Sequence, residues 1–343
     1  MNKGVIALLL LTILLAGNGC SAPPTPEKPT ESLGAKLNRI IIPDFPPTDV
    51  TLEDALEFLR VKSREFDPTI TKTSQKGVNF VIISGNVKNL PAIDGLKPKD
   101  MPLSETLRYI TESVGLKFVV EPQAVAVREK DDERGPSKGP STNAHQLAME
   151  KTILPTVQFQ GATIEEAVEY LRVSRVCLDA DDHTSATMTL NYVLKLRTND
   201  KRPKISLDLK DIPLSEALRY CAEIAGVTLR YDSFAVVITE ENTAPAAPPA
   251  VKGLASSLIL PHVALSGATL KEAVELIRIK SRELDTAHNG VSIIIQPGDP
   301  ASSIELDLKQ IPVIEALRYI AELSNHMLSF ENNDFVLTPV KGP

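Results

Sequence analysis

Tryptophan is absent from the sequence, and aromatic residues as a class make up only 4% of it. Hydrophobic residues still reach 43%, so we expect folded domains whose cores are mainly aliphatic. The formal net charge is −7 and no arginine-rich segment occurs, which argues against nucleic acid as a partner. The GxSxG, HExxH, CxxC and P-loop patterns are missing, and the five histidines do not fall at metal-ligand spacing. The sequence therefore predicts neither an enzyme nor a bound cofactor.

The N-terminus carries an apolar run, residues 5–16, behind a short positively charged start. The run is short for a bilayer span and is typical of a secretory signal peptide. Cys20 follows a cluster of small residues. This arrangement resembles the signals of bacterial lipoproteins, in which the cysteine carries acyl chains such as palmitate. We expect a signal peptide over 1–19 and lipidation of Cys20, with ordinary cleavage after Ala22 as the alternative.

Lipidation predicts a protein held on a membrane, because several acyl chains together give stable anchoring. Residues 20–36 are rich in Pro, Ser and Thr, which indicates a semi-extended tether between the bilayer and the folded part. In a bacterial envelope the folded part would face the periplasm, and Ser21 favours sorting to the outer membrane. The lipid bilayer is then a partner through the N-terminal anchor.

Beyond the tether, two phrases occur three times each. The first reads TLEDALEFLR at 51–60, TIEEAVEYLR at 163–172 and TLKEAVELIR at 269–278. The second reads DMPLSETLRY at 100–109, DIPLSEALRY at 211–220 and QIPVIEALRY at 310–319. The second phrase begins 49, 48 and 41 residues after the first, so a whole domain recurs rather than a short motif.

Two linkers separate the copies. Residues 130–146 and 242–253 are rich in charge, Gly, Pro or Ala and show no hydrophobic periodicity. They divide the chain into repeat 1 (37–129), repeat 2 (147–241) and repeat 3 (254–340). We expect three independent domains joined like beads on a string.

Repeat 3 gives the clearest view of the secondary structure. Thr269, followed three residues later by Glu272, has the spacing of a capping box at the start of an amphipathic helix. Residues 304–309 alternate apolar and charged as in a half-exposed strand, and Pro312 opens a second helix. Asn332 to Asp334 suit a hairpin turn. The order β-α-β-β-α-β-β predicts an α+β fold of three tandem small domains, each with two helices packed on a small mixed sheet.

The second half of each repeat resembles a known module. An alternating strand at 205–209 precedes Pro-Leu and Ala-Leu within 213–218, and 304–308 precede Pro-Val and Ala-Leu within 312–317. This pattern is similar to the short N-terminal domain that secretins and TonB-dependent receptors share. Repeat 1 departs from it, since Thr106 replaces the alanine. The resemblance covers most of each repeat and implies a periplasmic contact module, hence an accessory to an envelope secretion or transport machine.

An Arg-Tyr pair closes the second phrase in every repeat. The residues are Arg108-Tyr109, Arg219-Tyr220 and Arg318-Tyr319. A glutamate lies three residues before each arginine, which predicts a weak ion pair on the helix surface. The tyrosine rings suit the edge of a core, with the hydroxyl in water. Because the pair recurs, these six residues are also our candidates for binding a partner.

The remaining polar candidate is an acidic cluster in repeat 2. It consists of Asp179, Asp181, Asp182 and His183. Carboxylates this close could hold a hard cation, but the cluster lacks the glycine and distal glutamate of a calcium loop. We therefore expect a solvated acidic loop, and the cluster is the one place from which an enzymatic activity could arise.

Two cysteines, Cys177 and Cys221, lie in repeat 2. An oxidising compartment could join them in a disulfide. The alternative is that Cys221 is a small buried hydrophobic residue, since isoleucine stands there in repeats 1 and 3, and that Cys177 is a free thiol.

The tether, the repeats and the missing catalytic motifs together favour a non-enzymatic lipoprotein that binds protein partners in the cell envelope. The edges of small sheets could accept a partner strand, and linked sites raise affinity through effective concentration. A lipoprotein that binds a small ligand or a cell-wall polymer is the alternative.

Overall fold

The computed structural model describes residues 32–45, 50–68, 76–84, 90–93, 99–132, 144–181, 190–197, 201–240, 249, 257–297 and 303–340. None of the helices in these ranges combines the length and the apolar character needed to cross a bilayer. The predicted signal peptide and Cys20 lie outside the described residues, as do Asp182 and His183. The predictions made for them stay predictions.

Eight helices and fifteen strands are described. The helices are α1 (Leu33–Arg39), α2 (Leu52–Glu65), α3 (Leu103–Ser113), α4 (Ala144–Lys151), α5 (Ile164–Asp181), α6 (Leu214–Ala225), α7 (Leu270–Leu284) and α8 (Val313–Leu323). The strands of repeat 1 are β1 (Ile41–Ile42), β2 (Phe80–Ile83), β3 (Met101–Pro102), β4 (Leu116–Val120) and β5 (Val125–Glu129). Those of repeat 2 are β6 (Ile153–Ala162), β7 (Tyr192–Lys195), β8 (Ile205–Pro213), β9 (Thr228–Tyr231) and β10 (Val236–Thr239). Those of repeat 3 are β11 (Ile259–Ala268), β12 (Ile293–Ile295), β13 (Ile304–Pro312), β14 (His326–Glu331) and β15 (Asp334–Pro339).

Strands of adjacent repeats join in common sheets. One five-stranded sheet has the order β4-β5-β2-β8-β6, so three strands of repeat 1 continue into two strands of repeat 2. A second, β9-β10-β7-β13-β11, joins repeat 2 to repeat 3 in the same way. The strands β12, β15 and β14 form a three-stranded sheet, and β1 pairs with β3. The prediction of an α+β fold with mixed sheets is confirmed. The prediction of independent beads is wrong, because the edge strands β2 and β7 pair antiparallel with β8 and β13 of the next repeat.

Local sequence explains the elements of repeat 3. The Thr269 side chain accepts from the backbone of Glu272, whose carboxylate in turn accepts from Thr269, so the predicted capping box is present. The strand β13 alternates buried and exposed residues as its sequence predicts. Pro312 lies at the N-cap of α8. Asn332 and Asn333 adopt left-handed backbone angles in the turn between β14 and β15, which asparagine tolerates better than most residues.

The predicted tether and the first linker contain helices at their ends. Helix α1 begins inside the tether, because the Ser32 hydroxyl caps it and Leu37 is buried in the core of repeat 1. Helix α4 likewise begins inside the linker 130–146, and Met149 of α4 is buried in the core of repeat 2. In each case a few apolar residues on one face of the helix pack against the core of the repeat, and the local composition does not predict this contact.

Two of the three hydrophobic cores also extend across the repeats. Val81 and Ile83 of repeat 1 belong to the core that contains α5 and α6 of repeat 2. Val193 and Val237 of repeat 2 belong to the core of repeat 3. The strands β4-β5-β2 of repeat 1 and β9-β10-β7 of repeat 2 thus pack their own helices on one face and the following repeat on the other.

Candidate functional site

Buried charged side chains concentrate where one repeat meets the next. Two such junctions lie within the described ranges. The first junction joins repeats 1 and 2, and the second junction joins repeats 2 and 3. Each junction combines a contact between strands with a network of ion pairs.

An asparagine secures the strand contact at both junctions. At the first, the Asn79 amide nitrogen donates to the carbonyl oxygen of Lys210 at 2.9 Å, and its amide oxygen accepts from the Lys210 backbone nitrogen at 3.1 Å. At the second, Asn191 makes the same pair of bonds with Lys309, at 3.1 and 2.8 Å. One side chain therefore satisfies both backbone groups of a residue in the next repeat, as a strand partner would.

An ion pair reinforces each strand contact. The last residue of the first phrase is Arg60 in repeat 1, and its Nη1 lies 2.5 Å from Oδ2 of Asp208 on β8. Its counterpart Arg172 pairs with Asp307 on β13. These arginine side chains are 13% and 30% exposed, so the pairs are partly shielded from water and should contribute more than open surface pairs.

The ion network of the first junction centres on Glu121, in the turn between β4 and β5. Its Oε1 accepts from Arg128 at 2.8 Å, and its Oε2 accepts from Arg219 at 2.5 Å and from the Tyr220 hydroxyl at 2.8 Å. Arg128 also donates to Glu223 of α6 at 2.6 Å. The side chains of Glu121 and Arg128 are fully buried. The network links the last hairpin of repeat 1 to the second helix of repeat 2.

The charges in this network stabilise one another. Burial by itself raises the pKa of Glu121, but hydrogen bonds from Arg128 and the charge of Arg219 outweigh it, so that pKa lies below its usual value. Burial and the neighbouring Glu121 charge raise the pKa of the Tyr220 hydroxyl well above its usual range. Glu121 is therefore ionised and Tyr220 is a neutral donor at neutral pH.

The second junction repeats this plan with different residues. Asp232 takes the place of Glu121, and its Oδ2 accepts from Arg318 of α8 at 3.0 Å. Arg230 donates to Asp232 at 3.0 Å and makes a two-point contact with Glu322 of α8, at 3.0 and 2.8 Å. Planar two-point pairs of this kind fix geometry as well as charge. The same helix face is thus held by a carboxylate of the preceding repeat at both junctions.

The six Arg-Tyr residues therefore occupy unequal environments. Each arginine stacks on its tyrosine, with 4.5, 4.2 and 4.3 Å from the guanidinium carbon to the ring centre in repeats 1, 2 and 3. The predicted pairs with the preceding glutamates are present in all three. Tyr220 and Tyr319 are fully buried, whereas Tyr109 is 40% exposed. Arg219 and Arg318 contact the preceding repeat, and Arg108 contacts Glu105 and Glu112 of its own helix.

Sequence reasoning missed the other half of each junction. Asn79, Asn191, Glu121 and Asp232 were not singled out, although the repeats place each pair at equivalent positions, four residues before β5 and β10 for the two acids. Alignment of the repeats alone would have found them. What each one contacts depends on sheet pairing, which no single repeat reveals.

The described residues show no site at the acidic cluster of repeat 2. Asp179 and Asp181 fall at the end of α5, where side chains are not described. No group of potential metal ligands is found among the described residues. The matching residue of repeat 3, Asp285, accepts backbone bonds from Ala287, Asn289 and Gly290, and these bonds lower its pKa. In that repeat the carboxylate orders a loop.

Cys221 is a free, buried thiol, as the alternative to a disulfide predicted. Burial raises the pKa of this thiol to about 12. A thiol with such a pKa is a poor nucleophile at neutral pH, so Cys221 acts as a small core residue. The side chain of Cys177 lies outside the described residues.

Comparisons with protein-family models, with curated proteins and with solved structures find no match for this chain.

Proposed function

We propose that this protein is a lipid-anchored lipoprotein of a bacterial envelope that faces the periplasm and binds protein partners through several surfaces. An accessory role in a secretion or transport machine is the setting that the resemblance to secretin and receptor N-terminal domains favours. The observation that supports the proposal best is the exposed pair Arg108-Tyr109. Its two counterparts already bind a carboxylate of another folded unit inside the chain.

In this proposal the repeats do not bind as independent domains on flexible linkers. Because paired strands and buried ion pairs join the repeats, the exposed surfaces of successive repeats have a defined spacing. A partner that contacts more than one repeat meets a surface that is already organised, which lowers the entropy cost of binding. Arg108 and Tyr109 are the accessible members of the candidate set among described residues, and they mark the first surface to test.

The anchor is tested with Cys20→Ser. We expect the wild-type chain in the membrane fraction with the mass of an acylated N-terminus, and the variant in the soluble periplasmic fraction. If the wild-type chain and Cys20→Ser fractionate alike and neither carries the mass of an acyl group, the lipoprotein proposal is wrong.

The binding surface is tested by chemical cross-linking in intact cells, with Arg108→Glu compared with Lys271→Glu. Lys271 is exposed on α7, so it controls for the same change of charge. We expect an envelope protein to be captured by wild type and by Lys271→Glu and to be lost with Arg108→Glu. Equal capture by all three variants contradicts a role for Arg108. Recovery of a glycan or a metabolite and no protein would favour a ligand-binding lipoprotein instead.

A further inference from the structure

The outer face of the last three-stranded sheet, β12-β15-β14, has the plan of a third junction. Residues of β12 correspond by register to those of β2 and β7. In the equivalent parallel pairings, Ile293 lies opposite Phe335, Phe80 opposite Val125 and Tyr192 opposite Val236. The next residues are Val81, Val193 and Ile294. The first two are buried under the following repeat at 1% and 0% exposure, whereas Ile294 is 45% exposed. Within the described ranges, β12 pairs with β15 alone.

The charged groups of a junction are also present at this face. Arg278 occupies the position of Arg60 and Arg172, but its contacts are Glu275 on its own helix and the carbonyl oxygen of Ile293. Glu331 occupies the position of Glu121 and Asp232 and is exposed. At both internal junctions these two positions receive an aspartate from a strand and an arginine from the helix that follows it.

We propose that this face, defined by Ile294, Arg278, Glu331 and the edge of β12, docks a strand–helix unit of another protein chain. The docking strand runs antiparallel to β12 and carries a carboxylate towards Arg278. The helix after it carries a basic residue towards Glu331 and covers Ile294. This inference rests on the proposed protein-binding function and names the kind of partner that it requires.

The proposed site differs from the internal junctions at two positions, and the first difference favours reversible binding. Ser292 stands where Asn79 and Asn191 clamp the incoming strand. A serine hydroxyl cannot donate to a carbonyl and accept from an amide of the same residue with the reach of a carboxamide. Asp334 stands where the internal junctions bury alanine, and it adds a second carboxylate for a basic helix.

A second copy of this chain fits the face poorly. In repeat 1 the residues that match Asp208 and Leu209 are Lys97 and Pro98. A lysine there would oppose Arg278, and a proline cannot donate to a strand ladder. The strand β3 of repeat 1 also has only two residues, against nine in β8. The partner is therefore a different chain.

The probe is a covalently attached copy of this chain's own strand–helix unit. Residues 240–343 are joined after Thr338, so that the spacing from the last strand to the added unit equals that between β10 and β11. We expect hydrogen exchange of the amides at 292–296 to slow by about tenfold or more relative to the original chain. Arg278→Asp in the original repeat should abolish this protection, and Asp307→Arg in the added copy should restore it. The matched change Lys271→Asp should leave it intact.

Unchanged exchange at 292–296 beside a folded added unit overturns the proposal. Sedimentation of residues 21–343 provides the second measurement, because a monomer over a wide concentration range is expected. Self-association that Ile294→Lys abolishes would mean that a second copy occupies the face, which overturns the assignment to another chain. Neither result depends on Cys20, so failure of the anchor is recognised separately in the fractionation experiment.

Discussion

The same Glu-Arg-Tyr motif lies buried at the first junction and exposed in repeat 1, so one substitution can be compared in two environments. Arg219→Met removes a guanidinium that is 11% exposed and contacts Glu121, Glu216 and Glu223. Arg108→Met removes one that is 43% exposed and contacts only its own helix. Methionine keeps much of the arginine stem, so the comparison isolates the charged head group.

The expected costs differ several-fold. Removing one partner of a buried ion pair costs about 3–5 kcal/mol, because the remaining charge is left without compensation. Arg128 still neutralises Glu121 after Arg219→Met, so we expect the low end, about 3 kcal/mol. An exposed ion pair on a helix is screened by water and contributes little, so Arg108→Met should hardly change the free energy of unfolding.

Urea unfolding of residues 21–343 followed by far-UV circular dichroism measures both costs, since the chain has no tryptophan. The slope of the transition must be unchanged for the midpoints to report stability. Arg318→Met should resemble Arg219→Met, because Arg318 contacts Asp232 across the second junction. Midpoint shifts for Arg219→Met and Arg108→Met that agree within error would refute the assignment of Arg219 to a stabilising junction.

Three further predictions follow from the junctions and the core. Because the pKa of Glu121 is lowered in the folded protein, the unfolded chain binds more protons as the pH drops below about 4.3, and the free energy of unfolding should fall. In urea titrations at acid pH, Glu121→Gln should make the free energy of unfolding depend less steeply on pH. An unaltered pH dependence would contradict this role of Glu121. Asn191→Ala should lower the free energy of unfolding by about 1–3 kcal/mol, because two backbone groups of Lys309 lose their hydrogen-bond partner. It should also speed amide hydrogen exchange in β7 and β13, and unchanged exchange in these strands would argue against this role of Asn191. Cys221 should resist alkylation in the native protein at pH 8 and react only after unfolding, since its pKa is about 12; rapid native labelling, followed by mass spectrometry, would show that it is accessible.

Much of each repeat could be predicted from local sequence. The capping box at Thr269, the alternation in β13 and the hairpin turn at Asn332 follow from short-range preferences, and each is confirmed. These features depend on residues a few positions apart, so a short segment of the sequence is enough to predict them. The Glu-Arg pair preceding each tyrosine is of the same kind.

The arrangement of the repeats could not be predicted in this way. The sequence around Val81 predicts a strand residue, but nothing in it indicates that the side chain lies in the core of the next repeat. The role of Arg219 likewise depends on a carboxylate that lies 98 positions away in sequence. Charges that would be weak surface pairs become buried junction contacts only after the sheets join.

By itself the sequence determined that one α+β pattern recurs three times, where its two main helices lie and which motif recurs at the second of them. Tertiary structure alone decided that β2 and β7 pair with the following repeat and that two of three equivalent Arg-Tyr pairs are withdrawn from solvent. The physical reason is that helix and strand preferences act over a few residues, whereas sheet pairing and burial depend on which surfaces remain to be covered once those elements have formed.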